Sequence, residues 1–339
     1  MSKLKIVYGK GARPDLDLER EVLGEHRLKN EYELVLKDPY RDMEGFLEEI
    51  RDADGVCAFI PFGPDVLDRM RKCRIVALPS LGTDFADCSA ATERGIYITN
   101  LPTSYCIEEV AAHTCSLILD CSRRITAMAA SLKGDMESWD ERRKYRGNPH
   151  RLKGQKMGFC SFGNIARRTA EMMKGFGVEI LAYDPFLPDN VFEAAGAVKV
   201  DSLEELFRQC SIISIQTPHT EKTHHMIGEK QFAAAAPGLV IAACGRGGVI
   251  DEAALRKAVE KGIVFAAGLD VLEDEDAFDS VLFGLPEVVI TPHTAYYSVE
   301  AEKDFHRINL EDILTVLEND SVPANLVNRE VIGKERPAG

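Results

Sequence analysis

Five short runs rich in Val and Ile (KIVYG, YELVL, GVCAFI, RIVALPSLG and GIYITN) recur at roughly 20- to 27-residue intervals through the first hundred residues. No other feature limits the possible folds as much. Runs this short, separated by amphipathic stretches, read as buried parallel strands joined by helical crossovers. A second series, MGFCSF, EILAYD, SIISIQT, GLVIAACG, VFAAGLDV and EVVITPH, starts afresh at Met157. Between the two series lies Ile107 to Leu132, an apolar-rich stretch with neither Gly nor Pro. Pro102, Thr103 and Ser104 precede it, and Glu108 and Glu109 open it, as suits a helix start. One long connecting helix is therefore expected there, flanked by two doubly wound α/β domains. The 339 residues exceed what one core organises.

Composition narrows the partners. Apolar residues make up 45% and charged residues 28% of the chain, the balance of a globular protein. A formal charge of -14 repels a phosphate backbone, and no basic cluster offsets it, so direct nucleic-acid binding is not expected. No window approaches the roughly 18 apolar residues of a membrane span, and the apolar start is too short for a signal segment. The expectation is a cytoplasmic protein with no membrane partner. Nine scattered cysteines, without a CxxC pair, read as reduced thiols acting as small hydrophobes, not metal ligands. The tail Pro337 to Gly339 is expected to be mobile.

A turn at the head of the second series carries the first functional signal. After the strand ending at Cys160 comes Ser161-Phe162-Gly163-Asn164-Ile165-Ala166, where a dinucleotide fingerprint would read GxGxxG/A. Gly163 lets backbone approach a pyrophosphate, and Ala166 lets a helix starting near Ile165 pack on the strand. Ser161 replaces the first glycine. The next strand ends at Asp184, 21 residues after Gly163, where a carboxylate receives ribose hydroxyls and repels the extra phosphate of NADP. NAD is the expected cofactor.

Three later strand ends each carry one reactive residue: Arg246 in CGRGGVID, Glu275 in LDVLEDED and His293 in TPHT. The carboxyl ends of parallel strands form the ligand crevice, so the three are expected to converge. Reduction of a 2-keto acid needs a fixed cation for the carboxylate and carbonyl, and an acid for the developing alkoxide. The planar fork of Arg246 suits the first task. His293, oriented and kept protonated by Glu275, suits the second. Thr217, Pro218 and Thr223, in the loop holding His219, His224 and His225, are placed along the cofactor. His113, His150 and His306 are read as packing or surface residues, and no metal site is assigned.

These segments, in this order and spacing, resemble the D-isomer-specific 2-hydroxyacid dehydrogenase family over nearly the whole chain. HTAYYS and VPANLVN are most similar to the branch of the C-terminal binding proteins. The resemblance implies Arg246, Glu275 and His293 as the catalytic set. It implies cofactor contacts from Cys160, Ser161, Phe162, Gly163, Asn164, Ile165, Asp184, Pro218, Thr223, Cys244, Gly245 and Asp270, with Arg246 and His293 beside the nicotinamide. It also implies a Rossmann NAD domain, residues 102–294, inserted in a flavodoxin-like substrate domain of residues 1–101 and 295–339. A homodimer through the long helix follows from the same resemblance. Backbone amides of Leu81 and Gly82 would take the substrate carboxylate, and Tyr296 would cover the pocket. Pro61, Phe62, Leu81, Tyr105 and Tyr296 suggest an apolar or aromatic substrate side chain. Ser80, Ser161, Ala243 and Asp276 depart from the family's pattern without removing a reacting group. The expected activity is reversible, NAD-dependent reduction of a 2-keto acid to the R-2-hydroxy acid. Alternatives are an NAD(H)-responsive, corepressor-like interaction protein, and formate or phosphite oxidation on the same scaffold.

Overall fold

A computed structural model describes residues 3–9, 15–132 and 139–334. The tail 337–339 lies outside them. The chain divides into two compact units, Met1–Tyr105 with Ser298–Gly339, and Cys106–Tyr297, so the second interrupts the first along the sequence.

The first unit holds a five-stranded parallel sheet: β1 (Lys3–Gly9), β2 (Glu31–Lys37), β3 (Gly55–Cys57), β4 (Ile75–Ala77) and β5 (Tyr97–Thr99). Its order, β2-β1-β3-β4-β5, is the flavodoxin-like winding. Alternation along the strands sends Val7, Val56 and Val76 to one face. Ile6, Tyr8, Cys57, Ile75 and Ala77 go to the other, where the C-terminal helix Val299–Asn319 covers them with Leu310, Ile313, Leu314 and Leu317. Both faces are therefore buried, which is why these strands read as continuous apolar runs.

The second unit holds seven parallel strands: β6 (Lys156–Cys160), β7 (Glu179–Tyr183), β8 (Val198–Lys199), β9 (Ile212–Ile215), β10 (Leu239–Ala243), β11 (Val264–Leu269) and β12 (Val288–Ile290). The order β12-β11-β10-β9-β6-β7-β8 places the reversal of winding between β6 and β9, as in dinucleotide-binding sheets. Six of these strands match the second series. The seventh, β8, is a two-residue edge strand with both side chains exposed, so it leaves no apolar run to read.

The connecting helix differs from the expectation. It is two helices, Ile107–Arg123 and Ile125–Ser131, broken at Arg124 with φ 56°. Arg124 is buried, and its guanidinium donates to the carbonyls of Phe265 (3.2 Å) and Pro286 (3.2 Å). Satisfying those acceptors inside the unit turns the chain there. The first helix is preceded by Cys106 in a left-handed conformation, and the Cys106 side chain makes no cap bond. Among the described residues no helix is long and apolar enough to cross a membrane.

Candidate active site

In the second unit the neighbouring strands β10, β11 and β12 end in three loops that stay hydrogen-bonded beyond the sheet. Asp270 N–H donates to Ala243 O, and Thr291 N–H to Leu269 O, each at 2.9 Å. Arg246, Glu275 and His293 hang from these loops. Two glycines permit the close approach. A Cβ on Gly247 would sit 1.8 Å from Leu272 O, so only glycine lets the Arg246 loop lie against the backbone leading to Glu275. A Cβ on Gly245 would meet Thr217 O at 2.9 Å, which brings in the loop after β9.

His293 Nδ1 lies 2.9 Å from Glu275 Oε2, and each side chain remains about two-fifths exposed, at 42% and 43%. Burial alone would raise the Glu275 carboxyl. The His293 hydrogen bond and charge, the Leu272 N–H and the Arg246 guanidinium outweigh it and hold the carboxyl below its ordinary value. The carboxylate is thus available near neutrality to accept from Nδ1–H, which leaves Nε2 of the imidazole for a substrate. His293 itself has φ 52°, a conformation costly for a non-glycine residue, held by N–H bonds to Asp270 O (2.9 Å) and Thr291 O (3.0 Å). Arg246 folds one N–H onto Gly245 O at 2.9 Å.

The dinucleotide turn follows β6. Ser161 adopts φ 67°, the left-handed geometry for which the fingerprint ordinarily supplies glycine, and its hydroxyl donates to Thr217 Oγ1 at 3.1 Å. Thr217 in turn donates to Cys160 O at 3.1 Å. The helix Asn164–Lys174 is preceded by Gly163 with no side-chain cap, so its first-turn N–H groups point past a residue without a side chain. Asp184, nearly buried, accepts from Phe162 N–H (2.9 Å) and Phe186 N–H (3.0 Å). A carboxylate beside an uncapped helix N-terminus is the donor and acceptor set an adenosine ribose and a pyrophosphate require, and the residues fit NAD.

Other expected contacts fall in different places. The side chains of Cys160 and Phe162 point into the core, where Phe162 stacks on Phe192 at 5.4 Å, so the turn offers backbone there. Asp270 is 1% exposed and serves the chain's own donors. Burial pushes the Cys244 thiol up to about 12. Thr223 donates to Pro218 O at 2.7 Å, closing its loop. Tyr296 is exposed, packed edge-on to Tyr297. Leu81 and Gly82 belong to the first unit, after β4, where Gly82 N–H donates to Ser80 Oγ at 3.1 Å and Leu81 O accepts from Asn100. Phe62 corrects the pocket list: it is fully buried in the first unit's core. Tyr105 is nearly so.

Two residues with roles here carried no weight in the sequence. Arg167 donates to Phe162 O (2.7 Å) and Asn164 Oδ1 (2.6 Å), setting a cation at the dinucleotide turn. His113 Nε2 lies 2.9 Å from Thr291 Oγ1, two residues before His293. The available signal was its place on the flank of the buried stripe Val110, Thr114 and Leu117, where a surface histidine is out of pattern.

Residues 115–295 match the family model described as D-isomer specific 2-hydroxyacid dehydrogenase, NAD binding domain. The chain is 36% identical to D-3-phosphoglycerate dehydrogenase of Methanocaldococcus jannaschii over 301 residues, covering 87% of this chain and 56% of that protein. It is 32% identical to glyoxylate reductase of Thermococcus litoralis over 315 residues, 90% of this chain and 93% of the other. The chain thus spans about half the length of the curated phosphoglycerate dehydrogenases it matches. The holo form of Rhodotorula graminis D-mandelate dehydrogenase superposes with a TM-score of 0.83 at 25% identity, over 98% of this chain and 99% of that one.

Proposed function

We propose that this chain, which belongs to the D-isomer specific 2-hydroxyacid dehydrogenase family, reduces a 2-keto acid to the R-2-hydroxy acid with NADH, and catalyses the reverse oxidation. The observation that carries the reading is the 2.9 Å contact of His293 Nδ1 with a carboxylate held ionised in part by Arg246. When bound, NADH would supply the hydride. Arg246 draws the substrate carboxylate and carbonyl oxygen by paired N–H bonds and steadies the charge that builds on that oxygen. His293 donates the Nε2 proton to it, and Glu275 accepts from Nδ1–H, so the ring keeps one orientation as it loses its proton. In the oxidation His293 takes the hydroxyl proton.

First-turn amides after Gly163 would hold the pyrophosphate, and Asp184 the adenosine ribose, favouring NAD over NADP. Leu81 and Gly82 of the first unit stay, in this reading, the candidates that the resemblance offers for carboxylate binding, and there the Gly82 N–H donates to Ser80 Oγ. A homodimer belongs to the same reading, with Ile125 (54% exposed) and Leu132 (51%) as apolar side chains such a contact would cover. Nine free thiols suit a reducing compartment, which we take to be the cytoplasm.

The test follows NADH absorbance across glyoxylate, pyruvate, phenylpyruvate, 4-hydroxyphenylpyruvate and 3-phosphohydroxypyruvate. Oxidation of NADH with at least one, and an R-configured product, is expected. Tight NADH binding with no turnover on any of them, or on their hydroxy acids with NAD, would overturn the proposal.

A further inference from the structure

Behind the His293 loop lies a chain of hydrogen bonds that the proposed chemistry does not use. Asp270 Oδ1 accepts from Thr291 Oγ1 at 2.5 Å and Thr294 N–H at 3.0 Å, and Oδ2 accepts from Ala295 N–H at 2.8 Å. Its backbone carbonyl accepts the N–H of His293. This one buried carboxylate therefore ties down the residues on both sides of His293. Thr291 Oγ1 donates to Asp270, so its hydroxyl proton points at the carboxyl and an oxygen lone pair faces His113 Nε2 at 2.9 Å. The direction of every bond follows: His113 Nε2–H donates to Thr291, and Thr291 donates to Asp270. His113 Nε2 is also 3.6 Å from Asp270 Oδ1.

We propose that His113 is a positioning residue: its Nε2–H sets the Thr291 hydroxyl, which sets the Asp270 carboxylate, which holds His293 in its left-handed backbone conformation against Glu275. His113 comes from the helix Ile107–Arg123 and touches none of the reacting groups assigned above. It acts through the loop. A displacement of about 1 Å in the acid's position costs on the order of a hundredfold in rate, so a partial loosening has a measurable price. The inference rests on the dehydrogenase reading only for its kinetic consequence, since the loop order it describes is measurable without turnover.

The experiment compares wild type, His113→Ala and His113→Gln, the last keeping an N–H donor near the Nε2 position. Amide hydrogen exchange by NMR is read at Thr294 and Ala295, with β6 amides as a control. Exchange at both is expected to rise about tenfold or more in His113→Ala, to return toward wild type in His113→Gln, and to stay unchanged in β6. On the best keto acid, kcat should fall about tenfold in His113→Ala, with KM and NADH affinity within about threefold, and recover in His113→Gln. Unchanged exchange at Thr294 and Ala295 in His113→Ala overturns the inference, as does failure of His113→Gln to restore it. If the wild type turns over no acid, the dehydrogenase reading falls while the exchange arm still decides this one.

Discussion

Ser161 and His293 both occupy the left-handed region, at φ 67° and φ 52°, and they are held there differently. Ser161 is tied by its side chain to Thr217, and His293 by its backbone to Asp270 and Thr291. An L-residue in this conformation costs about 1–2 kcal/mol relative to glycine, offset in part by glycine's greater freedom when unfolded. Ser161→Ala loses the hydroxyl bond and keeps the strain, whereas Ser161→Gly loses both. Ser161→Gly should therefore be the more stable of the two by about 1 kcal/mol in denaturant unfolding; equal stabilities would contradict the strain account. Glu275 makes a second residue-scale prediction. Its carboxyl is held below the ordinary value, so its help to His293 is present above that range and is lost only as pH falls through the depressed value. Glu275→Gln should lower kcat/KM for keto-acid reduction about 10- to 100-fold near pH 7, where the carboxylate is ionised. The gap should narrow toward acid, and a gap independent of pH would contradict this role. Arg246, Glu275 and His293 were legible because each ends a recognisable strand. His113 and Arg167 were not, because their partners, Thr291 and the Phe162 carbonyl, are fixed by folding and not by local spacing.

Among the elements, strands buried on both faces announced themselves, while those set by tertiary demand did not. The Ile107–Leu132 stretch has the composition of one helix, and Arg124 is a good helix former. The break there serves the carbonyls of Phe265 and Pro286, which are remote in sequence. β8 was missed because an exposed edge strand of two residues has no period. The C-terminal helix holds a further case. Burial pushes the Asp312 carboxyl up to about 6, against the bond from Asn325 Nδ2 at 3.0 Å, which favours the charge. The folded state therefore keeps a proton that the unfolded chain gives up. Stability from this site is full below the ordinary carboxyl value and is lost as pH rises through about 6. The loss is on the order of 2–3 kcal/mol. Relative to Asp312→Asn, wild type should lose about 2 kcal/mol between pH 4.5 and pH 7 in urea unfolding. A constant difference between the two proteins would contradict the assignment.

On the scale of the whole molecule, the chain carries -14 formal charge yet is proposed to bind an anionic acid and an anionic cofactor. Local devices must do what the overall field does not: a helix N-terminus, Arg167 and Arg246. The seven-stranded winding of the second unit supplies the strand ends at which these groups sit. The double series of apolar runs made both sheets legible. The loops' approach to one another was less so, since it depends on Gly245 and Gly247 fitting against backbone from other segments. The central claim is that His293 is the acid and base of a hydride transfer. It is tested most directly by the turnover of His293→Ala on the best keto acid, with NADH affinity measured alongside by fluorescence. The account predicts that kcat falls by about two to four orders of magnitude while NADH affinity stays within about threefold. A variant that turns over within a few-fold of wild type would contradict it.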